Sequence, residues 1–228
     1  MSLLRRWARA RRQPASERGF TLIELMVATA LLSVVITSAF GVVIVMQNQA
    51  VKTTDRFTAE GEAQTIADRI TKDLRTAVAP SSTTAAFASA DTNDVVYYAS
   101  LANLNNGHGP TRLHAYASLV GGTNVYVFHE DATPPDSTSV PGNYTYTTGT
   151  PVNRLDGKYL DTSQPIFSYY DAHFPTPNKI ATPITTLSDL RSIDEVCVNL
   201  RVRVRPTAPI VVISTCIHVR NVDYNPNT

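Results

Sequence analysis

The sequence predicts an α+β fold: one long N-terminal helix, transmembrane in its first half, packed on an antiparallel β-sheet. Two observations predict it. An uncharged run of 22 residues, 25–46, continues into a stretch with apolar residues at three- and four-residue steps. After residue 90 the apolar period changes to two. With 43 % apolar and 17 % charged residues, the chain is neither a disordered polymer nor a polytopic membrane protein.

The elements follow in order. Residues 1–19 form a basic leader. Arg5, Arg6, Arg9, Arg11, Arg12 and Arg18 oppose Glu17 alone, a net of +5, which leaves 20–228 at −4 within a whole-chain charge of +1. A mildly acidic body gives no broad nucleic-acid surface, so no nucleic-acid partner is expected. Residues 20–46 follow as the transmembrane and assembly half of the helix. The run LMVATALLSVVITSAFGVVIVM would span about 33 Å as a helix, close to a bilayer core. A basic flank before an apolar span places the N-terminus in the cytoplasm. The run is too long, and lacks the A-x-A end, for a cleaved secretory signal. The plain alternative is a permanent single-span anchor.

Residues 47–80 read as the amphipathic half. Phe57, Ala63, Ile66, Ala67, Ile70, Leu74, Ala77 and Val78 form one apolar stripe that needs a partner, and Pro80 ends the helix. The whole helix then has roughly 60 residues, about 90 Å. Gly41 and Gly61 are its weak points, at about 1 kcal/mol each relative to Ala.

Residues 81–228 form an extracytoplasmic β-domain. Strands are expected at 95–99, 113–120 and 124–130, the last two joined by a Gly121-Gly122 hairpin. Residues 131–163, dense in Pro, Gly, Ser, Thr and Asp, read as a long surface loop with room for one short strand at 144–148. A strand at 165–172 and a helical turn at 186–192 come next. The clearest pair closes the chain: Val196 to Val204 and Val211 to Val219 alternate apolar and polar about a turn bracketed by Pro206 and Pro209.

That hairpin sets Cys197 opposite Cys216, within a residue or two, on the face carrying Arg201, Arg203, Arg205, His218 and Arg220. Cross-strand Cβ atoms lie about 4.5–5.5 Å apart, so a disulfide needs little adjustment. The alternative is two neighbouring free thiols. Two cysteines with no CxxC make no zinc site. The histidines His108, His114, His129, His173 and His218 are scattered without metal spacing, so no metal and no cofactor are expected. Gly107-His108-Gly109 reads as a turn. Asp156 and Asp161 lack the EF-hand spacing and read as a polar turn sooner than a calcium loop. The sequon Asn143-Tyr144-Thr145 reads as incidental. No GxSxG elbow or other catalytic signature occurs, so no enzyme is expected.

The most specific stretch is Arg18-Gly19-Phe20-Thr21-Leu22-Ile23-Glu24-Leu25-Met26-Val27-Ala28. It resembles the signal of type IV prepilins and pseudopilins: basic leader, Gly, Phe, Thr-Leu-Ile-Glu, apolar helix. The resemblance covers about a quarter of the chain and implies the type IV pilin fold. It implies cleavage between Gly19 and Phe20 by a prepilin peptidase that also methylates the new Phe20 amine. It further implies assembly with other pilin or pseudopilin subunits through Glu24, at an inner-membrane platform, from a store in membrane lipid.

The residue types agree with that chemistry. A glycine before the cut gives a protease clear access to the backbone. A carboxylate at the start of an apolar span is costly, about 2.5–3.5 kcal/mol at a bilayer centre, and so marks function. Glu24 could neutralise its own new amine or that of an adjacent subunit; the resemblance implies the second. Otherwise it is an interfacial acid touching headgroups. From Ile166 on, the layout is similar to PilW-type minor pilins and J-type pseudopilins, low-abundance subunits of filament initiation and tip. The expectation is a minor subunit of a type IV pilus or type II secretion-like filament. The alternative is a tip-exposed subunit for adhesion, DNA uptake or secretion-substrate binding, motivated by the 131–163 loop and the Arg face.

Overall fold

The computed structural model describes residues 19–101, 109–121, 126–172 and 177–219. The leader up to Arg18, Gly107, His108, Gly122, His173, Arg220 and the side chain of Asp156 lie outside the described residues. The element order is α1 (Leu22–Leu74), β1 (Phe87–Ala90), β2 (Asp94–Ala99), β3 (Thr111–Leu119), β4 (Tyr126–Thr133), β5 (Val152–Leu160), β6 (Phe167–Asp171), β7 (Lys179–Ile180), α2 (Leu187–Arg191), β8 (Ile193–Val202) and β9 (Val211–His218). The chain divides into two compact units at Gln49 and Ala50.

The first unit contains the N-terminal part of α1. Its large apolar residues are exposed; Leu31, Val34 and Phe40 each present more than half their surface. Four hydroxyls in this stretch turn back onto the helix. Thr29 donates to the Met26 carbonyl, Ser33 to Ala30, Thr37 to Ser33 and Ser38 to Val35, at 2.7–3.0 Å. Polar side chains satisfied in this way cost little in hydrocarbon. The helix is long and apolar enough to cross a membrane.

In the second unit, the rest of α1 packs on a curled antiparallel sheet. Ala59, Ala63, Ile66, Ala67, Ile70 and Leu74 are buried. Three small alanines let the helix backbone approach the strands closely. Phe57, expected in this stripe, is 68 % exposed. It stands two residues from Ala59, about 200° around the helix, so it falls on the opposite face. The helix also ends at Leu74, short of Pro80. The Val78 N–H donates to the Tyr98 carbonyl at 2.9 Å, and the Ser100 N–H to the Thr76 carbonyl at 3.0 Å. Pairing with the end of β2 straightens the chain before proline can break the helix.

The sheet runs β1-β2-β3-β4-β5-β8-β6-β7, with β9 paired to β8. Phe87, Tyr97, Phe128, Phe167 and Tyr169 fill its core beneath α1. One expectation about the sheet needs correction. Residues 131–163 are not one long loop. β4 continues to Thr133, and 152–160 form the nine-residue strand β5, while no strand occupies 144–148. VNRLDGKYL contains Asn, Asp and Gly and no period of two, so strand propensity hides it. Pairing with β4 from Ala132↔Val152 to Tyr126↔Leu160 creates it. β3 and β4 pair antiparallel over eight consecutive positions out to Leu119↔Tyr126, and Gly122 of the expected Gly121-Gly122 turn lies outside the described residues.

Candidate functional site

Gly19, Phe20 and Thr21 lead into α1 as non-helical chain. Among the described residues, no atom beyond the adjoining chain lies within 4 Å of the place a Gly19 side chain would occupy, and Phe20 is 80 % exposed. The described chain therefore leaves the Gly19–Phe20 peptide uncovered. Thr21 caps the helix. Its Oγ1 accepts from the Glu24 N–H at 3.3 Å, and its carbonyl accepts from the Glu24 and Leu25 N–H groups at 3.1 and 3.2 Å. Thr-Leu-Ile-Glu thus has the spacing of a capping box, with Thr at the cap and Glu at the third helical position. Glu24 sits in the first turn, where the helix dipole favours a negative charge, and makes no ion pair among the described residues.

Residues 14–40 match the family described as the prokaryotic N-terminal methylation motif. The chain carries a prepilin-type cleavage and methylation signal. No curated protein and no solved structure gives a significant match to it. The matched residues include Gly19, Phe20 and Glu24, so this prepilin-type signal coincides with the exposed, capped start of α1. Cutting after Gly19 would leave a cationic amine on Phe20. That amine would stand four residues before Glu24, within one turn of its carboxylate were the helix to extend back to Phe20.

Cys197 and Cys216 face each other in the β8–β9 register, with Cα atoms 4.0 Å apart, and are joined as a disulfide. Glu195 lies with them, but thiols consumed in a disulfide hold no metal. On the same face, Asp161 stands 3.7 Å from Arg201 and 3.3 Å from Arg203, and Arg205 donates to Asp55 at 2.6 and 2.9 Å. Asp161 accepts from the Ser163 N–H as well, and that bond and the arginines hold its carboxyl below the usual range despite partial burial. Two guanidiniums at Asp161 oppose a calcium ion there.

The sequence conceals one constellation entirely. Asp73 from α1, Glu130 from β4 and Arg154 from β5 meet between helix and sheet, the two acids buried and the arginine partly so. Arg154 Nη1 lies 2.7 Å from Asp73 and 3.6 Å from Glu130; Arg69 Nε lies 3.5 and 3.6 Å from the same two carboxylates. The Tyr97 hydroxyl donates to Glu130 at 3.4 Å. Burial first, then Asp73, pushes Glu130 up to about 7, against the lowering pull of Arg154 and Arg69. A second carboxylate, Asp136, staples 134–149. It accepts from the N–H and hydroxyl groups of Thr147 and Thr148 and from the Gly149 N–H, at 2.8–3.2 Å. Hydrogen bonds from Thr145, Thr148 and Thr147 keep it ionised far into acid. Both groups tie together segments distant in sequence.

Proposed function

We propose that the chain is a non-catalytic structural subunit, of the minor pilin or pseudopilin kind, of a type IV pilus or type II secretion-like filament. It waits in the cytoplasmic membrane as a single-pass protein with its N-terminus inside and its β-domain outside. A prepilin peptidase cuts after Gly19 and methylates Phe20. The freed helix then leaves lipid at the assembly platform and packs among those of other subunits, where Glu24 meets the Phe20 amine of a neighbour.

The observation that carries this reading is the prepilin-type signal at the capped start of an exposed apolar helix. Within that arrangement Glu24 makes no ion pair among the described residues. Apolar on all sides, the first part of α1 suits lipid before assembly and neighbouring helices after it. The alternative, a tip subunit for adhesion, DNA uptake or substrate binding, drew on the 131–163 loop and the Arg face. About a third of that stretch is strand, and Arg201, Arg203 and Arg205 are paired to Asp161 and Asp55.

Mass spectrometry of the protein from a host with an active prepilin peptidase tests the reading. The expected chain begins at methylated Phe20, and Gly19→Asp keeps residues 1–19. A wild-type chain that retains its leader beside a processed control prepilin refutes it.

A further inference from the structure

Between α1 and β5 lies a cavity of about 210 Å³ lined by Gly61, Glu62, Thr65 and Ile66 of the helix and Leu155 and Gly157 of the strand. Nothing in the processing or membrane chemistry uses it. Three observations bear on its purpose. Glu62 Oε2 is withdrawn from solvent and has no hydrogen-bond partner among the described residues. A carboxylate oxygen left in that state is costly until a donor or cation completes it. The wall supplies none: the Thr65 hydroxyl donates to the Gly61 carbonyl at 2.8 Å, and Ile66 and Leu155 are apolar.

Gly61 is the second observation. Glycine is the poorest helix former after proline, yet no atom lies within 4 Å of a Cβ built there. Packing within the chain does not require this glycine; its missing side chain keeps the cavity open. Gly157 contrasts with it, because a Cβ there would overlap Ile66 Cδ1. That glycine lets strand and helix close together, and so forms the cavity floor. The third observation is the donor set. One carboxylate and one committed hydroxyl are too few oxygens for a divalent metal. One carboxylate beside apolar walls instead matches a cation on an aliphatic stem.

We infer that this cavity receives the arginine or lysine side chain of a neighbouring filament subunit, its stem against Ile66 and Leu155 and its charge on Glu62. The inference rests on the filament reading above. The pairing fixes the amphipathic part of α1 against the next subunit, as a contact separate from Glu24.

The test uses the full chain in detergent micelles, isotope-labelled, with n-butylguanidinium as the probe and n-butylurea as its neutral isostere. The charged probe is expected to shift the Gly61 and Gly157 amides saturably. Its dissociation constant should rise at least tenfold in Glu62→Gln, and its binding should vanish in Gly61→Leu, whose side chain fills the space. No saturable shift in the wild type, equal binding in Glu62→Gln, or equal binding of n-butylurea overturns the inference. In cells, Glu62→Gln should be cut after Gly19 as usual but recovered in sheared filaments at a tenth or less of the wild-type amount. Normal recovery with normal cleavage also overturns it. An uncut wild-type chain would instead remove the filament reading and leave the probe titration to stand or fall by itself.

Discussion

Glu130 is the residue whose chemistry most directly governs stability. It is fully buried and its carboxyl titrates at about 7 in the fold against an ordinary value of 4.5. The raised value means that the folded state holds a proton the unfolded chain releases. Its contribution is therefore complete below about pH 4.5 and is lost as pH rises through about 7. The shift corresponds to at most about 3 kcal/mol. Urea midpoints should fall from pH 5 to pH 8, and Glu130→Gln should flatten that slope while leaving Arg154 with Asp73. A slope unchanged in Glu130→Gln would assign it elsewhere. Gly157 gives a second expectation at this scale. Gly157→Ala should destabilise by about 1–3 kcal/mol, because its Cβ must displace Ile66 beneath the helix. Equal thermal midpoints for the two proteins would show that Ile66 gives way freely.

At the scale of elements, β8 and β9 depend on their pairing and on one covalent link. The register runs unbroken from Glu195↔His218 to Val202↔Val211, and the disulfide closes a loop over a sequence separation of 19. The paired substitution Cys197→Ser with Cys216→Ser should cost about 3 kcal/mol by the chain-entropy account. The expected readout is an urea midpoint that drops in the variant and, for the wild type only, on adding reductant. This hairpin was legible because Val196, Val198, Leu200 and Val202 alternate strictly, so one face reads out the register. The start of α1 was legible for a similar reason: an uncharged run admits few environments. β5 was not, since its strand state comes from pairing with β4 and from Arg154 meeting acids 81 residues away in α1 and on β4. Charges joined only by tertiary contact leave no period to read. Phe57 misled because the stripe was drawn through a bulky residue, whereas the packed face is built from Ala59 and Ala63.

For the whole molecule, the proposed function gives one helix two uses and makes one carboxylate decide between them. In lipid, α1 needs only apolar length, the Glu24 N–H is capped by Thr21, and the dipole at the helix start favours the Glu24 charge. In a filament the same acid would balance a neighbour's amine among packed helices, where an unpaired charge is far more costly. Removing its charge should therefore leave the membrane state intact and damage only the assembled one. Glu24→Gln is expected to remain in the carbonate-washed membrane fraction and to lose residues 1–19 at the wild-type rate. Its recovery in sheared filaments should fall at least tenfold. An isosteric amide keeps the shape of the first turn, so a defect confined to assembly isolates the charge. If Glu24→Gln enters filaments as the wild type does, the carboxylate serves the helix cap alone, and assembly draws its specificity from contacts of the β-domain.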